Sequence, residues 1–176
     1  MRPLYVFVEG LNDVRFVDAI LKPRIEAASC CFPVVTVQYS SKSSNYVRRY
    51  LDSIAAQGAS LIFFRDLDNA PCISSRIDSF HSHFPFIDRD QILVVCKAIE
   101  SWYVSGVDQI AGIPLNIKNF NKIDKQQFLQ RIPKKYNGTA LEFQLEILGN
   151  YSLDNAQGRN ASLRYCLARL LKLCTY

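Results

Sequence analysis

Two aspartates two positions apart, Asp66 and Asp68, follow an apolar run at residues 61–64. A segment that is apolar at consecutive positions is typical of an interior strand, which is covered on both faces. At the C-terminal end of such a strand, both carboxylates can point the same way. Anions held this close repel each other unless a cation lies between them, and hard oxygen ligands suit Mg²⁺, Mn²⁺ or Ca²⁺. The pattern therefore indicates a divalent-metal site. In the alternative, Asp68 caps a helix that Pro71 would open, and Asp66 is a turn residue.

A third carboxylate, Glu9, stands at the end of the first apolar run, residues 4–8, and is followed by Gly10. Glycine at this position would let the backbone turn sharply out of a sheet. In open parallel sheets, ligands bind at the edge formed by the C-terminal ends of the strands. Carboxylates from several strand ends can therefore converge on one or two divalent cations, which neutralise a phosphodiester and activate water.

The segments that would position these acids alternate between strand and helix. Asn12 is a good N-cap and Asp13 a favourable first-turn acid for a helix that we expect to run as far as Pro23. Strand patterns occupy residues 4–8, 32–39, 60–65 and 91–96, with helical spacing between them. This alternation predicts an α/β fold with a four-stranded parallel sheet flanked by helices.

The pattern changes after Trp102 and Tyr103, where no further strand is expected. Helices are predicted at residues 108–111, 125–132, 139–148 and 162–173. No linker separates them from the preceding segment, so we expect a single compact unit. In it, residues 1–106 would form the α/β core, and residues 107–176 a C-terminal helical appendage that closes one edge of the sheet.

The charge of the chain is mildly basic, with a formal net charge of +5 over 176 residues. The segment after residue 158 carries Arg159, Arg164, Arg169 and Lys172 and no acid. An acid-free basic helix suits phosphates, although a solvated helix face is the alternative. If Asn160 or Ser162 caps this helix, its N-terminus and the nearby Arg159 and Arg164 would form an anion site. We expect that site at the same sheet edge as the acids.

The cysteine pattern argues against disulfides and zinc. The six cysteines contain no CxxC pair, and they are interpreted as small core residues in a reducing compartment: Cys30, Cys31, Cys72, Cys96, Cys166 and Cys174. With only two histidines, a zinc cage has few ligands to recruit. No signal peptide or membrane span is recognisable, so a cytoplasmic protein is expected.

Two of these motifs together resemble the TOPRIM domain, which topoisomerases, bacterial primases and OLD-type nucleases share. In that family a glutamate follows the first strand and a DxD pair follows the third strand. Glu9 and the Asp66-Leu67-Asp68 motif match that order over roughly residues 3–100. The stretch from Glu100 to Trp102 is similar to an Ile-Glu-x-Trp element of small stand-alone TOPRIM proteins related to the OLD group. Without the resemblance, Trp102 would simply pack in the core and Glu100 would lie at the surface.

The resemblance implies a nuclease that uses Mg²⁺ or Mn²⁺ to hydrolyse DNA or RNA. Asp66 and Asp68 would bind the metal, Glu9 would bind metal or transfer a proton, and Glu100 would be a further catalytic acid. Three basic residues are candidates for contact with the phosphate: Lys97, Arg159 and Arg164.

Two other functions remain open. No GxxxxGK[ST] sequence occurs, so the chain could be a non-catalytic module that binds nucleic acid or regulates a separately encoded partner ATPase. A flavodoxin-like or response-regulator domain would also carry acids at strand ends.

Overall fold

A four-stranded parallel sheet lies at the centre of the chain, as the sequence predicts. The computed structural model describes residues 2–29, 33–110 and 112–173, so the predictions for Cys30, Cys31 and Cys174 lie outside it. The strands stand in the order β2-β1-β3-β4, and every pairing is parallel: β1 (Leu4–Val8), β2 (Val34–Gln38), β3 (Ser60–Asp66) and β4 (Ile92–Val95). Their C-terminal ends therefore share one edge of the sheet.

The first crossover is longer than predicted. It consists of α1 (Leu11–Phe16), a π-helical turn (Val17–Leu21) and α2 (Lys22–Ser29). The prediction that the helix ends at Pro23 was wrong. A proline ring clashes with the carbonyl four residues back in a regular α-helix, and the wider π turn just before Pro23 changes that pairing.

The two faces of the sheet bury alternate residues of each strand. Phe7 and Phe63 pack on one face, beneath α3 (Ser44–Ala56) and α4 (Ile73–His83). Val6 and Phe64 pack on the other face, with the larger cluster that includes α1 and the C-terminal helices. Coverage of both faces explains why the strands are apolar at consecutive positions.

The C-terminal part contains α5 (Glu100–Ser105), α6 (Lys125–Gln130), α7 (Ala140–Gly149), α8 (Leu153–Arg159) and α9 (Ala161–Leu173). The helix predicted at residues 108–111 was wrong. Instead, β5 (Gln109–Ile110) and β6 (Ile113–Pro114) form a short antiparallel hairpin, in which Gly112 has a positive φ of 74°. Helix α8 was not predicted, because its sequence has few apolar residues to show a helical period.

The C-terminal helices pack onto the α/β part through a common core. Trp102, Phe143 and Leu163 are fully buried in the same cluster as Val6 and Phe64. Helix α9 contacts β4, the outer strand. The Trp102 indole donates a hydrogen bond to Ser162 Oγ at 2.9 Å. The boundary after residue 106 stays a prediction.

The cysteines within the described ranges differ in burial. Cys166 is buried, as predicted, and Cys96 is half-buried. Cys72 is exposed, because it is the N-cap of α4 and its Sγ accepts the Ser75 N–H, so the prediction of a core position was wrong for Cys72. Among the helices of the described ranges, none combines the length and the apolar composition that a membrane span requires.

Candidate active site

Six carboxylates line one pocket, of about 720 Å³, at the C-terminal edge of the sheet. Five of these acids form a cluster around Asp66: Glu9, Asp13, Asp66, Asp68 and Glu100. The sixth, Asp124, is the N-cap of α6, and its side chain accepts the Gln127 N–H. Lys97 lines the same pocket. The structure thus brings together the four predicted acids and one of the three predicted basic residues, and it adds Asp13 and Asp124.

The start of α1 explains how Asp13 reaches the pocket. The predicted N-cap, Asn12, was wrong, because the helix begins two residues earlier, at Leu11, and Gly10 is the N-cap. Asp13 Oδ2 accepts the Gly10 N–H at 2.7 Å, which turns the side chain back toward Glu9. Burial, with smaller contributions from the negative charges of Glu9 and Glu100, raises the pKa of the Asp13 carboxyl to about 7, against the opposing effect of the Gly10 hydrogen bond.

Asp66 is the least satisfied of the five acids. It is the last residue of β3, and its Oδ1 atom is buried without a hydrogen-bond partner among the described residues. Burial, and then the negative charges of the other four carboxylates, raise the pKa of Asp66 to about 9. At neutral pH, this carboxyl therefore keeps a proton unless a cation offsets the surrounding charge.

Asp68 lies at the rim of the pocket and does not cap a helix. Helix α4 begins at Ile73 with Cys72 as its N-cap, so the alternative role for Asp68 was wrong. The Asp68 side chain is 54% exposed, and its backbone has a φ of 49°. A non-glycine residue with positive φ is unusual, and such residues cluster at functional sites.

Two arginines that sequence reasoning missed hold the acidic side chains. Arg65 donates to Glu9 Oε1 at 2.9 Å and to the Tyr39 hydroxyl at 2.8 Å. Arg76 donates from Nε to the Asp66 carbonyl and from an Nη atom to Asp68 Oδ2, both at 2.6 Å. Neither arginine lies in a recognisable motif, so only the fold shows that they meet here.

Glu100 is held at the first turn of α5. It is only 4% exposed, so the alternative of a surface position was wrong, whereas Trp102 and Tyr103 are fully buried. The Asn12 side chain donates to Glu100 Oε1 at 3.0 Å, and Arg15 donates to Asn12 Oδ1 at 2.9 Å. This relay fixes the direction of the Glu100 carboxylate.

Arg159 and Arg164 do not line the acidic pocket. Arg159 pairs with Asp108 at 2.5 Å, and Arg164 donates to the Gln157 carbonyl. The N-terminus of α9 is already capped, because the side chain of the buried Asn160 accepts the Leu163 N–H and Asn121 Oδ1 accepts the Ala161 N–H. The structure therefore gives no support to the predicted anion site at this helix end.

The chemistry of the pocket fits a hard divalent cation. Every candidate ligand is a carboxylate oxygen, which suits Mg²⁺ or Mn²⁺, and the buried Asp66 Oδ1 lacks a partner. Within the described ranges, no three Asp, Glu, His or Cys side chains already form a metal cage. Glu9 and Asp68 are instead paired with arginines, so both would have to turn to bind a metal.

Comparison with known proteins found one structural likeness to report. The chain is similar to the C-terminal region of the Burkholderia pseudomallei OLD protein, with a TM-score of 0.49 and 14% sequence identity over 97% of this chain and 98% of that chain. At this identity and TM-score, the likeness carries no argument about activity. No protein-family model matches the chain, and no curated protein matches it.

Proposed function

We propose that this protein is a divalent-metal-dependent nuclease that hydrolyses phosphodiester bonds in DNA or RNA. The proposal rests on the convergence of five carboxylates in one pocket, with the buried Asp66 Oδ1 left unpaired. Such a cluster is unfavourable by itself and becomes favourable around a cation. The order of the acids along the chain, Glu9 first and the Asp66/Asp68 pair later, also fits the resemblance to TOPRIM domains.

The acids would divide into ligands and proton carriers. Asp66, Asp68 and Glu9 would hold Mg²⁺ or Mn²⁺, which neutralises the phosphodiester and activates water. Glu100 would be the further catalytic acid, and the Asn12 amide would orient its carboxylate. The Asp13 carboxyl, with its pKa of about 7, could exchange a proton near neutral pH. Lys97, on the same rim as Asp68, would contact a phosphate oxygen.

In the alternative function, the protein keeps this fold but does not cleave nucleic acid. The ion pairs of Glu9 with Arg65 and of Asp68 with Arg76 already neutralise two of the acids. A module in this state would bind nucleic acid, or would act as the regulatory subunit of a separately encoded ATPase, without binding a metal.

Cleavage of plasmid DNA and of single-stranded RNA, with Mg²⁺ or Mn²⁺ titrated to millimolar levels, separates the two functions. We expect the wild type to cleave at least one substrate and Asp66→Ala to lose activity by about 10²-fold or more, since a metal ligand is removed. Asp78→Ala is the matched control, because Asp78 is an exposed acid on α4 that pairs with Arg89. Circular dichroism checks that each variant folds. Unchanged cleavage by Asp66→Ala would contradict the role of Asp66 as a metal ligand. A wild type that neither binds metal nor cleaves would favour the non-catalytic module.

A further inference from the structure

Arg76 lies where a cation shared by the acids would lie. Its Nε is bonded to the backbone carbonyl of Asp66, while one Nη atom is 2.6 Å from Asp68 Oδ2 and 3.9 Å from Glu9 Oε1. The Arg76 side chain is 17% exposed. One guanidinium thus faces two of the carboxylates that the proposed function assigns to the metal.

Arg65 and Arg76 are held in different ways. Arg65 is fixed from several sides, because it bonds the Tyr39 hydroxyl and Glu9 and lies over the Phe80 ring at 4.9 Å. Arg76, by contrast, directs its Nη end to Asp68, whose side chain is more than half exposed. An ion pair with an exposed partner is weak, and a divalent cation attracts the same carboxylate more strongly than a guanidinium does.

We propose that Arg76 exchanges partners during metal binding and then binds the phosphate of the nucleic acid. In the metal-free protein, Arg76 neutralises Asp68 and also faces Glu9, which is paired with Arg65. When a divalent cation takes these carboxylates, the Nη end is released, while the bond from Nε to the Asp66 carbonyl keeps the guanidinium at the pocket. The planar fork of arginine matches two phosphate oxygens, so the released side chain is a phosphate ligand. This inference rests on the proposed function.

The first prediction of the exchange concerns metal affinity. Titration calorimetry with Mn²⁺ should show that Arg76→Gln binds the metal about two- to fivefold more tightly than the wild type, since the metal no longer competes with an exposed ion pair. Arg89→Gln is the matched control, because it removes the same charge from the ion pair with Asp78, which does not line the pocket. That variant should bind Mn²⁺ like the wild type.

The second prediction concerns nucleic acid. Fluorescence anisotropy with a labelled single-stranded oligonucleotide should show weaker binding by Arg76→Gln in Ca²⁺, and the slope of log affinity against log salt should fall by about 0.7, the value for one phosphate contact. Without divalent metal, Arg76→Gln and the wild type should bind the oligonucleotide equally, because Arg76 is then engaged by Asp68.

If Arg76→Gln does not fold, NMR spectra of the ¹⁵N-labelled arginine side chains in the wild type test the exchange instead. Mg²⁺ must then shift the Arg76 side-chain signals, assigned with Arg76→Lys, and leave those of Arg89, whose partner Asp78 does not line the pocket, in place.

The outcomes separate this inference from the proposed function. A wild type that binds Mn²⁺, together with an Arg76→Gln variant of unchanged Mn²⁺ affinity, overturns the exchange alone. The same holds if Arg76→Gln weakens oligonucleotide binding equally with and without metal, or if Mg²⁺ leaves the Arg76 signals unmoved. A wild type that binds no Mn²⁺ overturns both.

Discussion

Asp68 and Lys97 hold each other at the rim of the acidic pocket. The Asp68 N–H donates to the Lys97 carbonyl at 2.9 Å, and Lys97 Nζ donates back to the Asp68 carbonyl at 3.1 Å. Both residues have positive φ, 49° for Asp68 and 63° for Lys97. The loops after β3 and β4 are thus locked together in a conformation that L-residues seldom adopt, and both residues line the acidic pocket.

The positive φ of Lys97 and its hydrogen bond to Asp68 predict an unusual order of stability among variants of Lys97. Lys97→Ala and Lys97→Gly both lose the bond from Nζ to Asp68, but only glycine adopts the positive φ without strain. We expect the free energy of unfolding of Lys97→Gly to exceed that of Lys97→Ala by about 1 kcal/mol. Urea denaturation of the two proteins measures the difference. An alanine variant as stable as the glycine variant would show that the left-handed conformation is not held in solution.

The pKa of Asp66 predicts how stability changes with pH in the metal-free protein. The folded chain raises this pKa from 3.8 to about 9, so between these values the folded state binds more protons than the unfolded state. The contribution of Asp66 to stability is therefore intact below the lower value and is lost progressively as the pH rises toward the higher one.

Asp66→Asn removes that titration. In the presence of a chelator, the stability of Asp66→Asn relative to the wild type should increase between about pH 6 and about pH 9, as urea denaturation would show. Asp78→Asn, at an exposed ion pair, should show no such trend. A constant difference between Asp66→Asn and the wild type would mean that the carboxyl is ionised and already neutralised by its neighbours.

The hydrogen bonds of Ser162 predict how strongly α9 is held against α5. Its hydroxyl accepts from the Trp102 indole at 2.9 Å and donates to Asn160 Oδ1 at 2.9 Å, and all three residues are buried. Ser162→Ala leaves a buried indole N–H unpaired, which should lower the free energy of unfolding by about 1–3 kcal/mol. Trp102 is the single tryptophan, so its fluorescence reports this interface directly. Unchanged stability and emission would mean that water replaces the hydroxyl.

The strands and most of the acids were predictable because their signals are local. An apolar run that stops at a carboxylate fixes both a buried strand and the position of its acid, as for Glu9 after β1 and Asp66 at the end of β3. The structure confirms the parallel sheet that these strand patterns predicted. The hairpin at residues 109–114 was missed because two-residue strands have no period to detect.

The remaining parts of the site depend on contacts that no pattern along the sequence shows. Asp13 was recognised as a first-turn acid, but its direction follows from the Gly10 cap, which sets the phase of α1. Arg76 reaches Asp68 only because α4 folds back over the end of β3. Arg159 was expected at the pocket from its charge and its place beside the N-terminus of the last helix, whereas its partner, Asp108, is 51 residues away in sequence. Charge patterns along the chain do not show such pairs.

The most direct test of the account is a crystal soaked in Mn²⁺, with anomalous scattering measured to locate the metal. We predict an anomalous peak within coordination distance of Asp66 Oδ1 and of the Asp68 carboxylate, with the Arg76 guanidinium turned away from Asp68. The same soak of Asp66→Ala should show no peak at this position. An absence of manganese beside Asp66 and Asp68 in the wild type at saturating concentration, with Arg76 still bound to Asp68, would contradict the metal site on which the proposed nuclease depends.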